Sequence, residues 1–229
     1  MNCEQIVLRL ESMASPAGAK GMARYGIRSE RVLGLSMGEL REIAKELGKD
    51  HQLALCLWMA GFHESRLLAA LVDDPSDVTE EQIESWAMDF DNWAVCDGVC
   101  NHLFRRTPFA HRKCMEWSSR EEEYVKRASF ALMAALAVHD KKARDEVFRS
   151  YLEIIERESS DDRVYVKKAI NWALRQIGKR NPSLNKEAIQ VAERIAAIDS
   201  SAARWVASDA LRELKGERVQ ERLRRGRSS

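Results

Sequence analysis

The chain has 229 residues and a net charge of +1, enough for one large domain or an elongated array and too balanced for a protein that is basic throughout. With 45% hydrophobic and 32% charged residues, it has a folded, soluble profile rather than a disordered one. Only 11 Gly and 4 Pro exclude a many-stranded β fold, which needs a turn every dozen residues or so.

Apolar residues recur at helical spacing almost throughout. The spacing predicts helices over 2–14, 37–47, 51–60, 63–73, 79–88, 91–104, 108–118, 121–138, 141–158, 162–179, 183–196, 200–214 and 216–224. Short punctuators separate them: SPAG, DDPSDVTE, RTPF, ESSDD, RNPS and IDSS. Thr79 with Gln82, and Ser200, read as helix starts, and Pro108 and Pro182 mark entries or stops.

The later half repeats. VKRA begins at Val125 and VKKA at Val166, a period of 41; WALRQI at 172–177 recurs as DALREL at 209–214, a period of 37. Helix pairs at this period are the signature of HEAT or armadillo arrays, in which no pair buries its apolar face alone. The expected fold is all-α: a right-handed α-solenoid of HEAT-like helix pairs with a concave basic face. It forms one domain over 1–229, with 216–229 a basic tail that frays.

No apolar run approaches the roughly 18 residues that span a bilayer, and MNCEQIVLRLESMASPAG lacks the apolar core of a signal peptide. Cys3, Cys56, Cys96, Cys100 and Cys114 are an odd, scattered set, which points to reduced thiols and a cytosolic home. Cys96 and Cys100 with His102 lack zinc spacing and read as core. No metal or organic cofactor is implied. Acidic residues crowd into 73–91, whereas basic residues collect from Arg105 to Arg180 and in the tail RVQERLRRGR.

Two helical faces carry candidate chemistry. Trp93 and Asp97 are i,i+4 and share one face. Lys168, Trp172, Arg175 and Lys179 fall at i, i+4, i+7 and i+11, a basic stripe interrupted by an indole, which suits phosphates and a sugar or base. Trp93, Arg127 and Trp172 lie about one repeat apart, so a solenoid would bring them towards one patch. The plainer readings are that Trp86 and Trp117 are core and that Arg127 pairs with Glu121, Glu122 or Glu123.

Four segments resemble the AlkD-like DNA alkylation-repair glycosylases, a family built from HEAT-like repeats. They are MARY (22–25), WAVCD (93–97), VKRA (125–128) and KKAINWALRQIGKRNP (167–182). The resemblance implies a pocket tyrosine at Tyr25, pocket tryptophans at Trp93 and Trp172, a catalytic carboxylate at Asp97, and DNA-contacting arginines at Arg127 and Arg175. It implies hydrolysis of the N-glycosidic bond of cationic N3- or N7-alkylated purines by a monomer acting on double-stranded DNA without a membrane. Lys168 and Lys179 join the DNA-binding set through the stripe. The Arg127–Trp172 interval is longer than in the best-known members, so an added loop or helix is expected within 138–163. A catalytically silent HEAT-type DNA-binding or protein-interaction module is the first alternative and a helical adaptor the second.

Overall fold

The structure, a computed structural model, describes residues 1–27 and 31–225. Among them it is all-helical, with fourteen α-helices and two single-turn 3-10 helices. The chain divides into two compact units, the first running from Met1 to Phe109 and the second beginning at Ala110. Residues 226–229 of the expected tail lie outside the described residues.

The first unit contains α1 (Cys3–Ser12), α2 (Pro16–Arg24), α3 (Met37–Leu47), α4 (His51–Ala60), α5 (His63–Val72), α6 (Glu80–Met88) and α7 (Trp93–His102). Its middle is an aromatic cluster. Trp58 and Trp86 stack with ring centroids 3.9 Å apart and planes 3° apart, and Phe90 and Phe104 close around them. Trp86 is therefore core, as its helical context predicted.

The helix α2 is the element that the sequence reading missed. SPAG looked like a break, yet Pro16 occupies the first turn, where its missing N–H costs nothing, and Ser15 caps the helix by accepting from the Gly18 amide. The helix then runs against the 31–36 segment at almost no separation. A Cβ on Gly18 would stand 2.1 Å from the Gly34 carbonyl oxygen, and Gly34 itself has φ +86°. Two glycines thus permit a backbone-on-backbone contact, fastened by the Ser15 amide donating to the Leu33 carbonyl at 2.7 Å.

Cys3 and Cys56 form a disulfide joining α1 to α4. This corrects the expectation of five reduced thiols: the fold brings two cysteines 53 residues apart to a Cα separation of 6.3 Å, which no local pattern reveals. Cys96, Cys100 and Cys114 are buried thiols, in keeping with their reading as core.

The second unit contains α8 (Ala110–Glu116), α9 (Glu123–His139), α10 (Asp145–Glu158), α11 (Val164–Gly178), α12 (Pro182–Ala196), α13 (Ser201–Leu214) and α14 (Glu217–Arg225). Here the repeat acquires physical meaning. The helix α9 packs on α11 and α11 on α13, while α10 packs on α12. Residues one period apart hold the same places: Val125 and Val166 are both buried, as are Ala128 and Ala169, Ala173 and Ala210, and Ile177 and Leu214. The helix α10 fills the predicted 141–158 helix. It begins at Asp145 rather than 141, because Asp140 turns the chain by accepting from the Lys142 and Ala143 amides. The tail is helical as α14 through Arg225, with Val219 and Leu223 buried.

Two glycines of α2 should respond oppositely to alanine. Gly18→Ala places a methyl against backbone and should destabilise the first unit by about 2 kcal/mol or more. Gly21→Ala meets nothing within 4 Å and should stabilise it by about 0.5–1 kcal/mol through helix propensity. Urea unfolding of both variants is the check, and equal effects would contradict the close contact.

Candidate functional site

The sequence-derived candidates fall into one group in each unit. In the first unit, Trp93 opens α7 and Asp97 lies one turn later. Val95, Cys96, Val99 and Cys100 are fully buried, which leaves Trp93, Ala94 and Asp97 on the partly exposed side. The opposite flank is fixed by Gly98, whose missing side chain lets Leu67 of α5 approach: a Cβ there would meet Leu67 Cδ2 at 2.4 Å. The Trp93 indole Nε1 donates to the Tyr25 backbone carbonyl at 3.0 Å. Tyr25 ends α2 and is 77% exposed, so Trp93 holds its main chain while its phenol stays in solvent.

The start of α7 is built with unusual care. Asn92 is buried and caps the helix, its Oδ1 accepting from the Ala94 and Val95 amides at 3.0 Å. Its Nδ2 donates to Asp91 Oδ1 at 2.7 Å and faces His63 Nδ1 at 3.3 Å. Burial pushes the His63 imidazole below its ordinary pKa, against the pull of Glu64 and Asp91. A neutral imidazole can accept from Asn92 there; an imidazolium could not.

The same α5 turn carries Glu64, which is fully buried. Its carboxylate accepts three backbone amides, from Leu33 at 2.9 Å, Gly34 at 2.6 Å and Leu35 at 3.2 Å. That segment seats α2 and, with it, Tyr25. Glu64, His63 and Asn92 were not found from the sequence. Only Asn92 left a signal there, an Asn placed just before a helical run.

In the second unit, Arg127 is buried and donates from Nη1 to the Tyr165 carbonyl at 2.5 Å, bridging α9 to α11. Tyr124 and Tyr165 lie beside it with ring centroids 5.7 Å apart. Its neighbour Lys126 is also buried and pairs with Glu158 at 2.6 Å and Asp161 at 3.0 Å. Burial disfavours both carboxylates, but the hydrogen bonds from Lys126, with Arg157 on Glu158 and Arg163 on Asp161, outweigh it and hold both pKa values below the ordinary range.

On α11, Lys168 is exposed and Trp172 half-buried. The C-terminal half of the stripe meets acid on α13. Arg175 and Lys179 both pair with Glu213, and Arg175 Nε lies 3.7 Å from Asp209. Burial raises the Glu213 pKa, and the two cations more than reverse that. Two of the stripe's three cations are thus partly neutralised by an i,i+4 pair of acids 34 to 38 residues further on. At the other end, Lys167 lies over the ring of Trp205, 5.8 Å from its centroid, and that indole is 41% exposed.

Compared with known proteins, the chain matches the family of DNA alkylation repair enzymes over residues 6–214. It belongs to that family. The uncharacterized protein Lin0241 of Listeria innocua is 22% identical over 199 residues, which cover 85% of this chain and 87% of that protein. A solved structure from a family of proteins related to the HEAT-like repeat DNA glycosylases, with affinity for branched DNA structures, superposes with a TM-score of 0.77. It covers 91% of this chain and 94% of its own at 17% identity, and so shows the HEAT-like fold. The family membership and the helix-pair packing thus agree with the period read from VKRA and WALRQI.

Lys126→Met should destabilise the second unit by about 2 kcal/mol at neutral pH, because two partly buried carboxylates lose their shared cation and keep only Arg157 and Arg163. Both carboxylates have folded pKa values below their ordinary 4.5 and 3.8. Their contribution is therefore complete above that range and is lost as pH falls through the lower folded values. The wild type should lose stability progressively as pH falls below these ordinary values, and the variant should lose less; parallel pH profiles in urea unfolding would overturn the assignment.

Proposed function

We propose that this family member hydrolyses the N-glycosidic bond of cationic N3- or N7-alkylated purines in double-stranded DNA. The observation that carries the reading is the accessible face of α7, where Trp93 and Asp97 stand one turn apart with Tyr25 tied to the Trp93 indole. An alkylated purine is already a cation, so its departure needs no proton from the protein. What the transition state needs is negative charge beside the oxocarbenium-like sugar, and a carboxylate supplies it while orienting the attacking water. Asp97 takes that role. The electron-rich faces of Trp93 and Trp172 suit a cationic nucleotide, more so as water is excluded.

Arg127, Lys168, Arg175 and Lys179, together with Tyr25, are assigned to DNA. Their parts differ. Lys168 is exposed and suited to a phosphate. Arg127 spans α9 and α11 through the Tyr165 carbonyl, which suits it to fixing the spacing of the two helices under the backbone. Arg175 and Lys179 are held by Glu213, so a phosphate must share them with that carboxylate. Their partial neutralisation, and the branched-DNA affinity of the related structure, favour a second reading: a binding module of the same fold that lacks the chemistry.

Single-turnover release of 7-methylguanine from methylated DNA separates the two. Native protein should release it, and Asp97→Asn should lose at least about 100-fold in rate while binding the same DNA, the size expected for removing a key electrostatic group. Full activity in Asp97→Asn would remove the catalytic role, and no release by either protein with binding retained would favour the module. Separately, Glu213→Gln should release Lys179 and leave Arg175 with Asp209 alone. DNA affinity should rise several-fold at low salt, with a steeper salt dependence of about one to two further counterions. An unchanged salt slope would mean that neither cation reaches a phosphate.

A further inference from the structure

The second unit has a charged cleft outside the Trp172 face. Its walls are the loop after α9, the turn between α11 and α12, and the outer side of α14, and its volume is about 440 Å³. Lys141, Lys179, Arg180 and Arg222 line it, and among the described residues no carboxylate does. The floor is part apolar, with Val138, Pro182 and Leu223.

Two of these cations do structural work. Arg180 donates to the carbonyls of Ala137 and Ala143, at 3.1 and 3.0 Å, and lies 4.3 Å from the centroid of the Phe148 ring. Arg222 donates to the Lys179 carbonyl at 2.8 Å. Their acceptors are neutral carbonyls, Ala137 in the last turn of α9, Ala143 in the α9–α10 loop and Lys179 at the end of α11, so they bind without being discharged. Each helix end contributes about half a unit of negative charge. Four cations against two such ends and a shared Glu213 leave an excess of roughly two positive charges. Lys141 is exposed. The sequence of α14 reinforces the field: Val219 and Leu223 are buried, which leaves Arg218, Arg222 and Arg225 outward.

A cleft with fixed guanidinium groups, an exposed lysine and no lining carboxylate is suited to a polyanion, and phosphates on a nucleic-acid backbone match it. Lys179 belongs both to the α11 stripe and to this cleft, so the stripe leads into it. We propose that the cleft between the α9–α10 loop, the α11–α12 turn and α14 is a second phosphate-backbone site, which holds an additional duplex arm of a branched DNA. This rests on the DNA-binding reading above and adds to it a place where a junction differs from a linear duplex. A linear duplex bound at the Trp172 face reaches the cleft only at Lys179; a second arm places its backbone phosphates against Lys141 and Arg222.

The test measures binding of the full chain to a four-way junction and to a linear duplex of equal length, by fluorescence anisotropy between 50 and 200 mM salt. The double variant Lys141→Glu, Arg222→Gln should lose about 10-fold in junction affinity and flatten the salt slope by about two counterions, with duplex affinity within two-fold of wild type. Lys141→Glu alone leaves the α11 end capped by Arg222 and should give about half that flattening. Equal losses on junction and duplex, no loss on either, or a loss confined to the double variant would each overturn the proposal. A wild type that binds neither DNA would overturn the DNA reading together with this one. A wild type that binds duplex but shows no junction preference would overturn this proposal alone. Melting curves matching wild type would establish that both variants are folded.

Discussion

A fully buried carboxylate, Glu64, sets the arrangement of the first candidate group. Burying an ionised group is costly unless its acceptor capacity is filled, and here three consecutive backbone amides fill it. The consequence runs outward. The 33–35 segment is locked to α5, the glycine contact between Gly34 and Gly18 locks α2 to that segment, and Tyr25 at the end of α2 accepts from Trp93. His63, next to Glu64, supports Asn92 and so the first turn of α7. One helical turn of α5 therefore governs both sides of the accessible face that presents Asp97.

The second group is governed by charge sharing between adjacent helices. A stripe of cations on α11 is attractive to DNA only to the extent that it is not satisfied within the protein. Asp209 and Glu213 on α13 satisfy part of it, and partly buried pairs of this kind lock side chains in place even when their net contribution to stability is small. The result is a graded surface. Lys168 is exposed, Arg175 and Lys179 are restrained, and the cleft beyond α11 adds Lys141, Arg180 and Arg222, with no lining carboxylate among the described residues.

These two devices bear on the division between a glycosylase and a silent relative. The fold serves both equally, since helix pairs of this kind are scaffolds on which chemistry is optional. The chemical difference would reside in one carboxylate and the Trp93 indole one turn before it. The supporting network of Glu64, His63 and Asn92 fixes the first turn of α7, one turn before that carboxylate.

The sequence by itself determined the helices, their repeat and the family. Period, caps and composition act locally, so α3 and α4 fall where the pattern put them, and Val125, Val166 and Ile177 are buried where the repeat required. The helix α2 was hidden because the same Ser-Pro pair that starts a helix also marks a break. What only the tertiary structure decided were the partners at a distance. Cys3 meets Cys56, Glu64 meets the 33–35 amides, and Glu213 meets Arg175 and Lys179. Each depends on which helices lie side by side, and side-chain spacing along one helix carries no information about the charge that the next helix brings.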